Sequence, residues 1–141
     1  MDRAIRVSLP NYKIEVSEDG VIKKTITKFA FGRDGHHTPV FSNGALSMAK
    51  RDRDHHSTIY NAASMPFALF FEQDSACAFH QGDVAKESHG CIHLSETDAH
   101  WLFDWAAHFP VKLDILGPYP AVHVAPDSVA KPDQPKSPGT T

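Results

Sequence analysis

Cysteine is scarce in this sequence: Cys77 and Cys91 are its two thiols, too few for the disulfide framework that staples small secreted domains. Long apolar runs are missing as well. The longest, 62–71, is interrupted by Ser64 and Pro66, whereas a membrane-crossing helix needs about 20 mostly apolar residues, so no transmembrane segment is expected. Neither charge dominates: 14 Lys and Arg stand against 17 Asp and Glu, a net charge of −3. No basic cluster has the density that a phosphate backbone requires, which excludes nucleic acid as the main partner. The opening Met1-Asp2-Arg3-Ala4-Ile5 lacks the basic region, apolar stretch and small-residue cleavage site of a secretory leader. Either the protein stays inside or its leader is not in this chain. No internal repeat is visible.

What is present is enough for one domain. At 141 residues with 41% apolar content, the chain can bury a core and is too apolar to be wholly disordered. Ile5, Val7 and Leu9 alternate with polar residues, Ile14 and Val16 flank Glu15, and Glu18-Asp19-Gly20 supplies a turn before 21–31; this pattern predicts a β-hairpin. Gly and Asn in 32–37 and at Ser42-Asn43-Gly44 mark further turns between short strands. The run 50–56 mixes both charges with no apolar period and reads as a solvated loop or exposed edge.

Residues 67–71 and 76–80, separated by Glu72-Gln73-Asp74-Ser75, predict two paired core strands. Ser95-Glu96-Thr97-Asp98 is a capping-box pattern that starts a helix, in which the Ser95 hydroxyl and the Asp98 carboxylate can satisfy free backbone N–H groups. Ala99, Leu102, Phe103 and Ala106 then fall on one helical face, and Pro110 cannot continue the pattern. A last strand over 111–115 precedes Gly117-Pro118. The reading is a mainly β domain over 1–117 with one packed helix after the cysteine loop, followed by a Pro-rich flexible tail over 118–141.

Chemistry concentrates in Ser88-His89-Gly90-Cys91-Ile92-His93-Leu94. A thiol beside imidazoles can ionise near neutrality, the thiolate is the attacking species, and a preceding glycine lets a carbonyl substrate approach the backbone. Cys91 is the candidate nucleophile, although on spacing alone a buried structural cysteine fits equally well. His80, at the end of a predicted strand, can act as base and then acid. Cys77, three positions before His80, falls on the opposite strand face and reads as core. A zinc site is the competing reading, because His89, Cys91 and His93 alternate and His80 is a fourth donor; a turn at Gly90 would break that alternation. The pairs His36-His37 and His55-His56 lie in polar stretches and read as solvated rather than as ligands.

Ser88-His89-Gly90-Cys91-Ile92, with His80 upstream on a strand, resembles the signature of the L,D-transpeptidase family with the YkuD catalytic domain. The resemblance runs from about Ile5 to Leu116 and includes Thr38-Pro39, where the family has a Thr-Pro-x-Gly element, and Met65-Pro66-Phe67 before the histidine strand. It implies a YkuD-like β-sandwich and a cysteine acyltransferase acting on peptidoglycan stem peptides. Two departures stand out. His93 occupies the place of the family's arginine, exchanging a fixed bidentate cation for a titratable group, and Val40-Phe41 follow Thr38-Pro39 without the family's glycine.

In that reading Cys91 is acylated, His80 moves the proton, and a neighbouring carbonyl such as that of Gln81 orients the ring. Backbone N–H groups of Gly90 and Cys91, helped by His89, form the oxyanion hole, and Ser88 braces the loop. Tyr60, Met65 and Phe67 are candidate walls for substrate, with His93 and Gln81 nearby. No cofactor or metal is required, the partner is a peptidoglycan stem peptide, the protein is expected to be a monomer, and its place of action is extracytoplasmic.

Overall fold

A computed structural model of the chain describes residues 1–57 and 63–129. The strands run in the order β1 (Arg3–Ser8), β2 (Lys13–Glu18), β3 (Val21–Ile26), β4 (Phe29–Ala30), β5 (Phe41–His56), β6 (Ser64–Phe71), β7 (Ala78–Gln81) and β8 (Ile92–Leu94). The helix α1 (Glu96–Ala106) and the strand β9 (Val111–Leu116) follow. Their lateral order is β3-β2-β1-β9-β5-β6-β7-β8-β4. β5 bridges two halves: its first residues pair with β9 and the rest with β6. The halves close on one core, as expected of a mainly β sandwich.

The alternation read from the sequence sets this core. Ile5 and Val7 on β1 lie beside Leu113 and Ile115 on the parallel strand β9, and all four are buried with Ile14 and Val16 of β2. Phe71, Phe79, Ile92 and Leu94 close the core from the other half. A smaller cluster of Met65, Ala68, Phe70 and Ala78 packs with Cys91. Ser95 caps α1 by accepting the Asp98 N–H at 3.2 Å, while the Asp98 carboxylate pairs with Lys24 at 3.0 Å instead of capping. Ala99, Leu102 and Ala106 form the buried face, and α1 lies over β6 and β7.

Two expectations are corrected and one is narrowed. The turn expected at Ser42-Asn43-Gly44 is part of β5, whose register with β9 shifts there; Asn43 at φ 61° absorbs the irregularity. Of the two readings of the polar run 50–56 the exposed edge holds, because residues 51–56 are strand and pair with β6 on one side only. It is the exposed edge of a ribbon, except that Arg51 turns inward and donates to the carbonyls of Ala106 and of Phe109, the latter at 2.7 Å, beyond the end of α1. The ordered body also continues past Gly117. Val124 bridges Ala30, Ala125 is fully buried, and the Ser128 hydroxyl reaches the Phe29 carbonyl at 3.3 Å. Tyr119, Val124 and Ala125 supply the apolar surface that holds this segment, which the proline count further along obscured. Residues 130–141 of the expected tail lie outside the described residues.

Candidate active site

The nucleophile loop is wired from within. Gly90 has φ 126°, a left-handed backbone open to glycine and strained for other residues, and this breaks the alternation of His89, Cys91 and His93. Ser88, 2% exposed, receives the Gly90 N–H on its Oγ at 3.0 Å and donates to the Cys91 carbonyl. Thr38, 1% exposed, donates from Oγ1 to the Gly90 carbonyl at 2.8 Å and accepts the Gly32 N–H at 2.9 Å. A side chain at Gly32 would strike the His36 carbonyl at 2.0 Å, so the segment 32–38 folds tightly over the nucleophile loop.

Cys91 and His80 open into one cavity of about 410 Å³ that also exposes His36, His37, Met65, Cys77, Ser88, His89, Gly90 and His93. His80 donates from Nδ1 to the Gln81 carbonyl at 2.7 Å, which leaves Nε2 to exchange a proton. Burial holds this imidazole down at about 4, outweighing the Gln81 bond, with His93 and His55 adding to the same direction. Burial likewise pushes the Cys91 thiol up to about 11, against a hydrogen bond to the Ala78 backbone and the more distant Lys50 cation. The Cys91 thiol points to the Ala76 carbonyl at 3.6 Å. The resting pair is a neutral thiol with a neutral imidazole, not an ion pair.

His93 lies on β8 beside His80 on β7, with their rings edge to face at 5.1 Å. Its Nδ1–H is shared between the carbonyls of Asp83 at 3.0 Å and Lys86 at 3.2 Å. Burial lowers its pKa despite those bonds, so at neutral pH it offers the cavity an uncharged Nε2, where the resemblance led one to expect a fixed cation.

Several expected residues sit elsewhere. Met65 lines the cavity, but Phe67 stacks on His100 of α1 at 4.6 Å and nears Phe103 at 5.9 Å. Regular alternation would put Met65 and Phe67 on one face; the left-handed backbone at Phe67, φ 57°, breaks it. Tyr60 lies outside the described residues. Gln81 contributes its carbonyl. The Gly90 N–H, expected in the oxyanion hole, is engaged by Ser88, which leaves the Cys91 N–H and the exposed His89 of the expected set. Cys77 is core as read, but it is not on a strand. It closes the turn that begins at Asp74, its N–H bonding the Asp74 carbonyl at 3.0 Å, and it reaches the same cavity. Both cysteines are free thiols, and burial together with Cys91 and Asp74 raises the Cys77 pKa.

The zinc reading built on His80, His89, Cys91 and His93 finds no such cluster among the described residues; the donor group gathered there is Asp34, His37 and His123. His36 and His37 are exposed, as read, and both also border the cavity. Tyr119, far from Cys91 in sequence and without a local mark, accepts the Thr38 N–H at 3.1 Å. Thr38 did carry a signal, the Thr-Pro pair.

The model of the L,D-transpeptidase catalytic domain, YkuD, matches residues 2–134. The chain belongs to this family. Among solved structures it is similar to the L,D-transpeptidase of Stackebrandtia nassauensis, at 20% identity and TM-score 0.73 over 86% of this chain and 58% of that one. It is similar to L,D-transpeptidase 1 of Mycobacterium tuberculosis at 25% identity, TM-score 0.60, over 79% and 60%. An L,D-transpeptidase in complex with imipenem matches at 22% identity, TM-score 0.63, over 79% and 58%. The chain thus spans less than two thirds of the length of these relatives. No curated protein sequence matches it. As a YkuD domain, the chain keeps the fold and carries Cys91 and the upstream His80 in one cavity.

Proposed function

We propose that this YkuD domain is an L,D-transpeptidase, a cysteine acyltransferase on peptidoglycan tetrapeptide stems. One observation carries the reading: in a chain of this family, Cys91 and a histidine whose Nδ1–H is tied to a backbone carbonyl share one cavity. Cys91 Sγ attacks the carbonyl before the terminal D-alanine while its proton passes to His80 Nε2. The tetrahedral oxyanion is met by the Cys91 N–H, with His89 at the rim. Collapse breaks the C–N bond, and His80 returns the proton to the departing D-alanine amine. An acceptor amine then gives its proton to His80, attacks the thioester and releases the thiol, leaving a 3-3 cross-link. Because both groups are neutral at rest, proton transfer accompanies attack. Met65 and the uncharged His93 border the donor stem.

No helix among the described residues is long and apolar enough to cross a membrane; the substrate places the activity outside the cytoplasm. The test is incubation with a disaccharide-tetrapeptide, followed by mass spectrometry, with Cys91→Ala as control. Loss of D-alanine with a cross-linked dimer, absent in the variant, is the expected result. A tripeptide alone would make it an L,D-carboxypeptidase, exchange of the terminal residue for added D-amino acid an exchange enzyme, and binding without turnover a stem-peptide module. One similar structure holds imipenem, and a carbapenem is expected to add its mass to Cys91 here.

A further inference from the structure

At the rim of the cavity, which His37 lines, two donors of segment 32–38 meet a third from the far end of the described chain. Asp34, His37 and His123 place one ligand atom each within 4.8 Å of one another. We propose that these three residues bind a zinc-class divalent metal ion. The set stands independently of whether the chain acylates.

The orientation of His123 is the first reason. It is 4% exposed, and its Nδ1 lies 2.5 Å from Glu87 Oε2. Nδ1 is thus engaged by Glu87, and the other ring nitrogen, Nε2, faces Asp34 Oδ1 at 3.8 Å. That separation is too long for a direct hydrogen bond, and a shared ion would bring both atoms into its shell. A carboxylate behind a ligating imidazole is the arrangement that orients metal-bound histidines and raises their basicity.

The second reason is that His37 is also held in place. Its ring stacks on Tyr119 at 3.7 Å and 8°, and its Nε2 lies 3.1 Å from Asp34 Oδ1. The Tyr119 hydroxyl in turn donates to the Gly32 carbonyl at 2.5 Å and accepts the Thr38 N–H at 3.1 Å. His123 packs tilted on Phe31 and edge to face on Tyr119. Two imidazoles and a carboxylate suit zinc and its neighbours better than calcium or magnesium, which take oxygen donors. Asp34 is open to solvent, giving an entry path and room for a water ligand.

A bound ion would tie segment 33–37 to the segment after β9. The same loop contacts the nucleophile loop through His36, whose ring meets His89 at 5.3 Å, and through Thr38. Metal binding is therefore expected to stiffen the wall of the active-site cavity, which His37 itself lines.

The test titrates zinc into the untagged, chelator-stripped protein by calorimetry, with thermal unfolding and X-ray absorption as further readouts. One equivalent is expected, with a raised Tm and a shell of nitrogen and oxygen without sulfur. Asp34→Asn and His37→Gln, at exposed positions that the fold does not need, should each weaken binding at least tenfold, and Glu87→Gln by roughly 10 to 100-fold. Cys91→Ala should leave it unchanged. Substoichiometric binding, binding that survives Asp34→Asn with His37→Gln, or a sulfur ligand would overturn the proposal.

Discussion

Thr38 Oγ1 donates to the carbonyl of Gly90 at 2.8 Å across 52 positions of sequence, and the same oxygen accepts the Gly32 N–H. One buried hydroxyl thus holds the loop that presents the nucleophile. Thr38→Val keeps the shape and strands both backbone groups, at a cost of about 1–3 kcal/mol for each buried group left unpaired. The variant is expected to melt lower and to be acylated more slowly by a carbapenem, while Thr38→Ser restores both. Equal acylation rates for Thr38→Val and the parent would show that the bond does not position Cys91.

With His80 held at about 4 and Cys91 at about 11, the reactive form is neutral imidazole with protonated thiol. Below about 4 His80 is protonated and cannot accept the thiol proton; above about 11 the thiol has lost the proton that the leaving amine needs. A plot of kcat/KM against pH is expected to be flat from roughly pH 5 to 10, with limbs beyond. A bell centred on neutrality would contradict this.

The same histidine predicts acid sensitivity of the fold. Its folded pKa lies below its usual 6.5, so the unfolded chain binds the proton more readily. The contribution of neutral His80 is fully present above about 6.5 and is lost as pH falls from there towards 4, by ~3 kcal/mol in all. Urea unfolding at pH 7 and pH 4.5 should show this loss, reduced in His80→Gln.

Arg51 serves the fold at a distance from the cavity. Its guanidinium spans carbonyls at Ala106 and Phe109 and, through Nε, that of Ser47 at 3.1 Å. Charge-assisted bonds at a helix C-terminus support Arg51→Ala losing roughly 1–3 kcal/mol. Chemical denaturation should detect this, with the carbapenem acylation rate of the folded fraction unchanged.

Gly90 is the least replaceable position of the loop. At φ 126° a Cβ is strained and would also lie 3.3 Å from Cys77 Sγ. Gly90→Ala is expected to lower Tm and to slow acylation by at least tenfold, since it moves the residue before the nucleophile. An alanine variant with parental Tm and acylation rate would mean the loop can adopt another backbone.

Much of this was legible along the chain because the signals are local. Period-two alternation placed Ile5, Val7, Leu113 and Ile115 in the core, a Ser-x-x-Asp cap started α1, and the Ser-His-Gly-Cys run marked the nucleophile. The misses came where one residue's backbone broke a period. Phe67 left the cavity wall through its positive φ, Asn43 absorbed a register shift inside β5, and Cys77 closed a turn instead of extending a strand.

The sequence alone determined which residues alternate, where the helix begins and which thiol follows a glycine, since each depends on neighbours within a few positions. Only the tertiary structure decided which histidines meet. Parallel pairing of β7 with β8 set His80 beside His93, and the return of the chain after β9 carried Tyr119 and His123 to His37. Those contacts depend on register and packing between segments far apart in the chain, and ten histidines in 141 residues carry no local mark of which will share a cavity wall.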